Sequence, residues 1–393
     1  MSEAAAPTAE SPLNHEDQAG GVPPWSSADR TSAVAPTSAA DQASSAAEDR
    51  SDGPLGSADP QSRAVPQTSA DPQTSAEPQT STEPQTSTAQ LNTAAQLSSS
   101  APAIQWYPGH IAKAEKSLTD NLAKVDLVIE VRDARIPMAT SHPRLQRWIG
   151  NKQHLLVLNR VDMIPPPVRQ AWTAWFRAQE QTCWWCDAKA GTGVKQLQQA
   201  AIRAGIALNV RRAGRGMKPR PVRALMLGFP NVGKSALINR LVRQKVVDSA
   251  RRAGVTRSLR WVRLGQDLDL LDAPGVLPPR LDDQQAALRL ALCDDIGQAA
   301  YDNEAAARAF LQLLTLLEAE PAAGVPPGLV GKRYGIPLGV LPGGGPDVEG
   351  WLVTAAERHT SGDSLRMATK LLDDFRCARL GAIALELPVL PPP

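Results

Sequence analysis

Eight residues that read GFPNVGKS, from Gly228 to Ser235, have the types and spacing needed to hold phosphates. They match Gly-x-x-x-x-Gly-Lys-Ser, in which backbone N–H groups of a tight loop surround phosphate oxygens and a helix N-terminus adds its dipole. Lys234 is expected to reach the β- and γ-phosphates, where it serves binding and catalysis, and Ser235 to hold Mg²⁺. An ordinary Gly-rich turn is the alternative, but a strand-like run (VRALMLG) enters the loop and a helical run (SALINRLV) leaves it.

Two shorter patterns downstream complete a phosphate and metal site. LLDAPG ends an apolar run, so Asp272 is expected to orient the Mg²⁺ shell through water and the Gly275 N–H to meet the γ-phosphate. Before it, AGVTRS offers Thr256, whose hydroxyl and backbone can close over Mg²⁺ and the γ-phosphate. The predicted phosphate and metal ligands are therefore Asn231, Val232, Gly233, Lys234, Ser235, Ala236, Thr256, Asp272 and Gly275.

NRVD, from Asn159 to Asp162, has the form of a guanine-reading Asn-Lys-x-Asp. Guanine presents two N–H donors on one edge, and the Asp162 carboxylate can accept both while Asn159 supports the pocket. Adenine lacks this donor pair, so the motif selects GTP over ATP. Arg160 stands where Lys is usual, and its planar guanidinium can still lie over the base.

A second loop, DAKAG at 187–191, has the form of the Ser-Ala-Lys loop whose backbone reads the guanine oxygen. Asp187 departs from the Ser, whereas Ala188 and Lys189 match. Both base-reading elements precede the phosphate loop, which begins 66 residues after NRVD, although most GTPases have the opposite order. A lone NRVD is more often a solvated loop, but two elements in their proper mutual order, each after a strand-like run, indicate a circularly permuted domain.

Alternating strand-like and helical runs extend from residue 104 to 281 and predict an α/β domain with a mostly parallel sheet and helices on both faces. From residue 282 to 393 helical periodicity predominates, which predicts a smaller α-helical domain with a long Pro/Gly-rich loop at 321–346. Residues 1–103 have a six-residue repeat and almost no large apolar side chains, so we expect a disordered tail.

Charge divides the chain in the same place. The tail has 13 Asp/Glu and 3 Arg, a net charge of −10, whereas the remainder has 39 Lys/Arg and 27 Asp/Glu, a net charge of +12. A basic body indicates a polyanionic partner, nucleic acid first, with an ordinary Arg-rich surface as the alternative. The candidate RNA contacts are a basic stretch at 211–223, interpreted as a flexible loop, and Lys370, Arg376 and Arg379 near Phe375.

The compartment is predicted from what the sequence lacks. The first residues have no basic start followed by an apolar run, and no stretch approaches the ~18 apolar residues that span a membrane. We therefore expect a cytoplasmic protein with no membrane partner, in which four cysteines need no disulfides. CWWC, at 183–186, has the spacing of half a zinc site but no second pair, so a buried strand is the favoured interpretation.

Three further motifs are QWYPGHIAKA (105–114), VRDARIP (131–137) and LLDDFRCARLGAIALE (371–386). With these motifs and the permuted motif order, the chain resembles the YlqF/RbgA family of circularly permuted ribosome-assembly GTPases. The resemblance covers about three-quarters of the chain and leaves out the acidic tail. It implies a GTPase that binds rRNA in precursors of the large ribosomal subunit, acts late in their maturation and leaves on hydrolysis. The helical domain is then expected to contact the ribosome, and the protein to be a monomer away from it.

Hydrolysis needs a group that the motifs do not supply. The region after Gly275 reads GVLPP, so Val276 and Leu277 stand where many GTPases have a Gln that orients the attacking water. Intrinsic hydrolysis is therefore expected to be slow. The resemblance implies that His110 of WYPGH supplies this contact, although a lone His is more often a packing or surface residue. It also implies that Asn231 helps to hold a K⁺ ion beside the phosphates.

Two other functions stay open on the sequence. One is a regulatory GTPase switch that acts through protein effectors without RNA. The other is an RNA-binding structural factor in which bound GTP or GDP only stabilises the fold. Basic charge speaks against the first of these, and the intact set of Lys234, Ser235 and Asp272 speaks against the second.

Overall fold

The structure is a computed structural model that describes residue 104 and residues 118–244, 246–247, 259–278 and 281–389. Its central strands are β1 (Leu127–Asp133), β2 (Gln153–Asn159), β3 (Cys183–Cys186), β4 (Val222–Leu227), β5 (Arg260–Leu264) and β6 (Leu268–Asp272). They form one sheet in the order β3-β2-β1-β4-β6-β5, and only β5 and β6 pair antiparallel. The predicted mostly parallel sheet is confirmed.

Helices follow most of the strands. Those with described bounds are α1 (Leu145–Ile149), α2 (Pro166–Ala178), α3 (Val194–Ala213), α4 (Lys234–Val242), α5 (Gln284–Leu292), α6 (Asn303–Ala319), α7 (Leu329–Tyr334), α8 (Val348–Thr360) and α9 (Ser364–Arg376). Residues 118–122 are also helical. Within the described part of the chain, none of these helices is both long enough and apolar enough to cross a membrane.

The two faces of the sheet are covered by different sets of side chains, because successive residues of a strand point to opposite sides. On one face Val128 and Leu225 pack with Trp148 of α1 and with residues 118–122. On the other, Ile129 and Met226 belong to a larger core that takes in α2, α3 and α4. The prediction of helices on both faces is therefore confirmed.

The helices that follow residue 281 share this larger core. Phe310 of α6 and Phe375 of α9 have ring centroids 4.8 Å apart and lie in the same cluster as the buried residues of β1. The backbone of Leu385 donates to the carbonyl of Arg135 at 2.9 Å, so two of the sequence words that carry the family resemblance are in contact. The boundary between two domains near residue 281 stays a prediction.

The predicted long loop at 321–346 is wrong in part, because it contains α7 and a short antiparallel pair of strands, β7 (Gly339–Val340) and β8 (Pro346–Asp347). The sequence pattern also gives no sign of α8, whose Gly350 and β-branched residues have low helix propensity. Tertiary packing outweighs that propensity, since Trp351 is buried and the Asp347 carboxylate caps the helix by accepting from the Gly350 N–H at 2.9 Å.

The basic stretch at 211–223 is not the flexible loop that its composition predicts. α3 continues through residue 213, and the Asn209 side chain then holds the backbone of Arg220 by donating to its carbonyl at 3.0 Å and accepting from its N–H at 3.1 Å. The Arg220 guanidinium makes hydrogen bonds of 2.7 and 2.8 Å to Asp126. Composition does not reveal these contacts, because Asp126 is distant in sequence.

The contact between α3 and β4 depends on a glycine. A Cβ added to Gly205 would lie 1.8 Å from Cγ2 of Val222. We therefore expect Gly205→Ala to destabilise the fold by about 1–3 kcal/mol through overpacking, although alanine is the better helix former. Urea denaturation should show this as a lower midpoint, and Gly205→Ala/Val222→Ala should recover much of it.

The matched control is Gly331→Ala in α7, where the nearest atom to the new Cβ would be 3.4 Å away. That change should leave the midpoint unchanged or raise it. Equal midpoints for the two single variants would contradict the packing argument.

Candidate nucleotide-binding site

The sequence-predicted site residues that the structure describes lie at or after the carboxyl ends of parallel strands. Asn159 ends β2, Asp187 follows β3, Gly228 follows β4 and Asp272 ends β6. Ligand sites in open α/β sheets form at this edge. Because neighbouring strands in the sheet are not neighbours in the sequence, the base-reading and phosphate-binding motifs meet here in spite of their permuted order.

The phosphate loop has no room for side chains where its glycines lie. Gly233 has φ +97°, and a Cβ there would come within 2.2 Å of Nδ2 of Asn159. Gly275 packs against the loop, with an added Cβ 2.5 Å from the backbone nitrogen of Pro230. The Asp-x-x-Gly segment therefore touches the phosphate loop directly, as expected if both face one ligand.

Lys234, the first residue of α4, is buried beneath the loop. Its Nζ donates to the carbonyl oxygens of Gly228 at 3.1 Å and Phe229 at 2.7 Å. Burial lowers the pKa of Lys234 to about 8, although the charges of Asp272 and Asp295 oppose the change. A polyphosphate would supply the negative charge that this ammonium lacks, so the geometry suits the predicted phosphate contact.

Ser235 and Asp272 provide a set of oxygens that fits Mg²⁺. The Ser235 hydroxyl lies 3.4 Å from Oδ2 of Asp272, too long for a strong hydrogen bond. The other oxygen of this buried carboxylate, Oδ1, has no hydrogen-bond partner within the described residues. Burial raises the pKa of Asp272, which a cation would reverse. Magnesium prefers such hard oxygen ligands and keeps several waters, consistent with direct binding by Ser235 and indirect binding by Asp272.

Asn159 joins the base-reading loop to the phosphate loop. Its Nδ2 donates to the carbonyl of Val232 at 2.8 Å, and its Oδ1 accepts from the N–H of Ala188 at 3.1 Å. The side chain is buried, and each half of the amide has a partner on a different loop. This is the supporting role that the sequence predicts for Asn159.

Arg160 and Asp162, the other two charged or polar residues of the NRVD motif, lie in different surroundings. The Arg160 guanidinium donates to Asp133 at 2.9 Å and to the carbonyl of Asn231 in the phosphate loop. Its charged plane is therefore not placed over a base, and only the aliphatic stem remains for that contact. Asp162 is exposed and forms no ion pair with any described residue. Partial desolvation of its carboxylate and the charge of Asp187 raise the pKa of Asp162, and two N–H donors from a bound base would stabilise the charged form.

Asp187 explains how the 187–191 loop keeps its shape without the usual Ser. Its Oδ1 accepts from the N–H groups of Lys189 at 2.7 Å and Ala190 at 3.0 Å. The backbone N–H groups of Ala188 and Lys189, predicted to read the guanine oxygen, thus already donate to Asn159 and Asp187. Reading a guanine requires one of them to share its hydrogen.

The end of α5 is held by side chains from three parts of the fold. Arg376 of α9 donates to the carbonyls of Ala291 at 2.9 Å and Leu292 at 3.0 Å. The next two carbonyls, those of residues 293 and 294, accept from Arg135 at 3.1 Å and from Nδ2 of Asn231 at 2.6 Å. Four consecutive helix-terminal carbonyls are satisfied in this way, which links the phosphate loop to α9.

This arrangement settles the placement of two predicted residues. Arg376 is buried and turned inward, so the prediction that it faces RNA is wrong. A carbonyl can only accept, so Asn231 must direct its amide nitrogen toward Asp294. Its Oδ1 is then the atom left for a cation, as the predicted K⁺ contact requires.

Several residues beside the phosphate loop escape sequence analysis. Asp133, the buried last residue of β1, accepts from Arg135 at 2.7 Å and from Arg160. Asp295 is fully buried, and neither of its carboxylate oxygens has a hydrogen-bond partner within the described residues. Burial and the nearby charge of Asp133 raise the pKa of Asp295 well above its ordinary value. The VRDARIP motif includes Asp133 and Arg135, but no local sequence pattern indicates Asp295.

Two predicted site residues, His110 and Thr256, lie outside the described residues. Their roles stay predictions.

Fold and site together define a P-loop GTPase with circularly permuted motifs. A family model described as 50S ribosome-binding GTPase matches residues 223–317. Ribosome biogenesis GTPase A of Priestia megaterium is 38% identical over 213 residues, which are 54% of this chain and 74% of that protein. Its counterpart in Bacillus pumilus is 39% identical over 189 residues, 48% of this chain and 67% of that one. The chain belongs to the ribosome biogenesis GTPase A family, which is the YlqF/RbgA family.

Among solved structures, GNP-bound YlqF from T. maritima matches with a TM-score of 0.44 and 21% identity, covering 70% of this chain and 98% of that one. As a member of the ribosome biogenesis GTPase A family, the protein is a GTP-binding enzyme that hydrolyses GTP, and this family uses Mg²⁺.

Base selection should depend on the Asp162 carboxylate. Asp162→Asn replaces one acceptor oxygen by a donor, so one hydrogen bond to guanine is lost and the other is no longer charge-assisted, roughly a 10²–10³-fold weaker GTP affinity. Xanthosine triphosphate, which has a carbonyl in place of the guanine amino group, should bind the variant better than GTP does. Competition against a fluorescent nucleotide measures both affinities.

Asp187→Asn is the matched control, because it also turns a carboxylate into an amide in this pocket but keeps the Oδ1 acceptor for Lys189 and Ala190. It should retain the preference for GTP. A loss of preference in both variants, or in neither, would contradict the role of Asp162.

Nucleotide binding should take up a proton at alkaline pH. In the free protein the pKa of Lys234 is about 8, and adjacent phosphates favour the charged form. At pH 8.5 we therefore expect uptake of about 0.7 proton per GDP bound, little uptake at pH 6.5, and weakening affinity as pH rises above 8. Calorimetry in two buffers with different ionisation enthalpies measures the uptake.

Lys195→Met, which removes an exposed lysine of α3, should keep the same uptake. Ionisation of the nucleotide is common to both proteins and cancels in the comparison. Equal uptake at pH 6.5 and 8.5 would show that Lys234 is not the group responsible.

Proposed function

We propose that this protein is an assembly factor that binds rRNA in precursors of the large ribosomal subunit late in their maturation and leaves when GTP is hydrolysed. Its relatives are named ribosome biogenesis GTPases, and the matching family model is described as ribosome-binding. The basic charge of residues 104–393 supports an RNA partner. We further propose that it works in the cytoplasm and is a monomer away from the ribosome.

The observation that carries this proposal is that apolar side chains stand beside the nucleotide site, at the position where a water molecule must be oriented. Val276 and Leu277, which follow Gly275, are 3% and 2% exposed, and the Val276 N–H donates to the Gly228 carbonyl at 3.2 Å. Both side chains therefore belong to the core. Since neither can orient a water molecule, the protein needs a group from elsewhere in the chain or from its partner to hydrolyse GTP rapidly.

We propose that His110 is this group and that contact with the large subunit positions it. Lys234 is the group of the chain that stabilises the charge developing on the transferred phosphoryl group. Ser235 and Thr256, with Asp272 through water, would hold Mg²⁺, and Oδ1 of Asn231 would hold K⁺ beside the phosphates. Bound Mg²⁺ supplies neutralisation of the phosphate oxygens. The residues of the chain position the nucleotide, and His110 orients the attacking water.

GTP turnover with and without purified large ribosomal subunits tests the proposal. In K⁺ buffer we expect strong stimulation of the native protein by large subunits and weak stimulation by small ones. His110→Ala should lower the stimulated kcat by about 10²-fold or more while leaving nucleotide affinity nearly unchanged. Replacing K⁺ by Na⁺ should lower turnover of the native protein.

His15→Ala, in the acidic tail, is the matched control and should be stimulated like the native protein. Equal stimulation of His110→Ala would keep the ribosomal partner and remove the histidine from the mechanism. Absence of stimulation in every protein would favour a switch that acts through protein effectors.

A further inference from the structure

The longest run of one charge sign in the folded part of the chain centres on α3. Residues 188–247 have 13 Lys/Arg and no Asp or Glu. Three of these cations serve the protein itself: Lys234 lies under the phosphate loop, Arg220 pairs with Asp126, and Arg240 donates to the Lys189 carbonyl at 2.8 Å. Five of the others are exposed on α3 and on the turn that follows it: Lys195, Arg203, Arg211, Arg215 and Lys218.

The C-terminal end of α3 forms a cleft rather than a flat surface. Its volume is about 230 Å³, and its lining residues are Leu208, Arg211, Arg212, Arg215 and Met217. Three arginine residues and two apolar residues therefore line one small space. Arg211, Arg212 and Arg215 form no ion pair with any described residue.

The cleft is held in shape by hydrogen bonds. The Arg212 guanidinium donates to the Lys218 carbonyl through Nε at 3.2 Å and Nη2 at 3.0 Å, and the Met217 N–H donates to the Arg212 carbonyl at 3.0 Å. The contacts of Asn209 with the Arg220 backbone close the turn from the other side. The cationic groups are thus presented by an ordered turn.

Stabilisation of α3 alone does not account for this charge. Arg211 and Arg212 lie in the last turn of α3, where cations interact favourably with the helix dipole. That effect falls off within one turn and gives no reason for Arg203 or for Arg215 and Lys218 beyond the helix end. Like charges without counter-charges repel one another, so a polyanion is the partner that relieves the repulsion.

Among polyanions, the residues that line the cleft favour a nucleic acid strand as the partner. Guanidinium groups match phosphate oxygens with paired hydrogen bonds, and apolar side chains such as Leu208 and Met217 suit the flat face of a base. Single-stranded RNA offers both features in one nucleotide, because its bases can be unstacked. An acidic peptide offers carboxylates but no flat heterocycle.

We propose that the end of α3 and the turn through Lys218 form an RNA-binding surface in which the cleft holds one nucleotide of a single-stranded rRNA segment. The proposal rests on the proposed ribosomal function and names a surface for it. α3 starts just after the base-reading loop and is about 30 Å long at 20 residues. The surface therefore lies at the opposite edge of the sheet from the nucleotide, and RNA and GTP can bind together.

A protein partner is the competing occupant, since Ile206 and Val210 are 59% and 66% exposed on α3. They lie one helical turn apart and precede the cleft. Charge favours RNA, because a protein surface would need many carboxylates to match so many unpaired cations.

Binding of a fluorescent single-stranded RNA to the full-length protein between 50 and 300 mM KCl tests the surface. Arg211→Gln/Arg215→Gln/Lys218→Gln should bind about 10- to 100-fold more weakly at 100 mM KCl. Loss of three phosphate contacts should also reduce the slope of log affinity against log salt by about 2. GDP affinity should stay native, which reports an intact fold.

The matched control is Arg177→Gln/Lys332→Gln/Arg366→Gln, which removes the same net charge from exposed positions on α2, α7 and α9. It should lose less than 3-fold in RNA affinity. Equal losses in both triple variants would reduce the effect to general electrostatics and overturn the proposal, as would no loss in either.

A second variant tests the cleft separately from its charge. Met217→Ala should weaken binding of single-stranded RNA several-fold and leave binding of inorganic polyphosphate unchanged. Equal effects on the two polyanions, or none, would remove the base contact that the proposal requires.

Association with purified large subunits separates this surface from the proposed function. If the native protein is not stimulated by subunits but the α3 triple variant loses RNA, the surface stands and the ribosomal role fails. If the native protein is stimulated and the triple variant keeps its RNA affinity, the surface alone fails. Retained RNA affinity with lost subunit binding would assign the face to a protein partner and overturn the RNA proposal.

Discussion

The bifunctional amide of Asn159 is the contact on which the nucleotide site depends. It donates to Val232 in the phosphate loop and accepts from Ala188 in the base-reading loop, so one buried side chain fixes the distance between the two halves of the site. Position 233 requires glycine, because the Asn159 amide occupies the space that a Cβ would take. A permuted chain can keep this contact because it depends on which strands are neighbours in the sheet, and β1 lies between β2 and β4 whatever the chain order.

A second joint connects this site to the helices after residue 281. The last carbonyls of α5 accept from Asn231, Arg135 and Arg376, so the phosphate loop, the end of β1 and α9 converge on one helix end. The turn there has Asp294 at φ +62°, followed by Asp295 where such turns usually bury an apolar residue. Asp295 is thus a buried carboxylate at a position that usually takes an apolar residue, next to the phosphate loop. Residues that depart from the usual sequence preferences of a local structure in this way are typical of functional sites.

The nucleotide site and the proposed RNA surface lie at opposite edges of the sheet. The carboxyl edge collects the loops that hold the nucleotide, whereas the opposite edge has the ordered basic turn after α3. Anchoring of Arg220 by Asp126 and Asn209 shows that the folded cationic turn is stabilised locally and does not depend on the nucleotide. If that turn binds RNA as we propose, RNA and GTP can bind together, because neither ligand obstructs the other.

The sequence by itself determined the fold class and the permutation, and it predicted the chemistry of Lys234, Ser235, Asp272, Asn159 and Asp162, since those depend on residue type and spacing along short segments. It indicated the strands for the same reason, as buried parallel strands are continuous apolar runs. Only the tertiary structure decided that Arg376 is buried, that Arg160 turns to Asp133, that α8 forms and that 211–223 is ordered. Each of these depends on a partner far away in the chain, and a periodic pattern has no information about which distant carbonyl or carboxylate will satisfy a side chain.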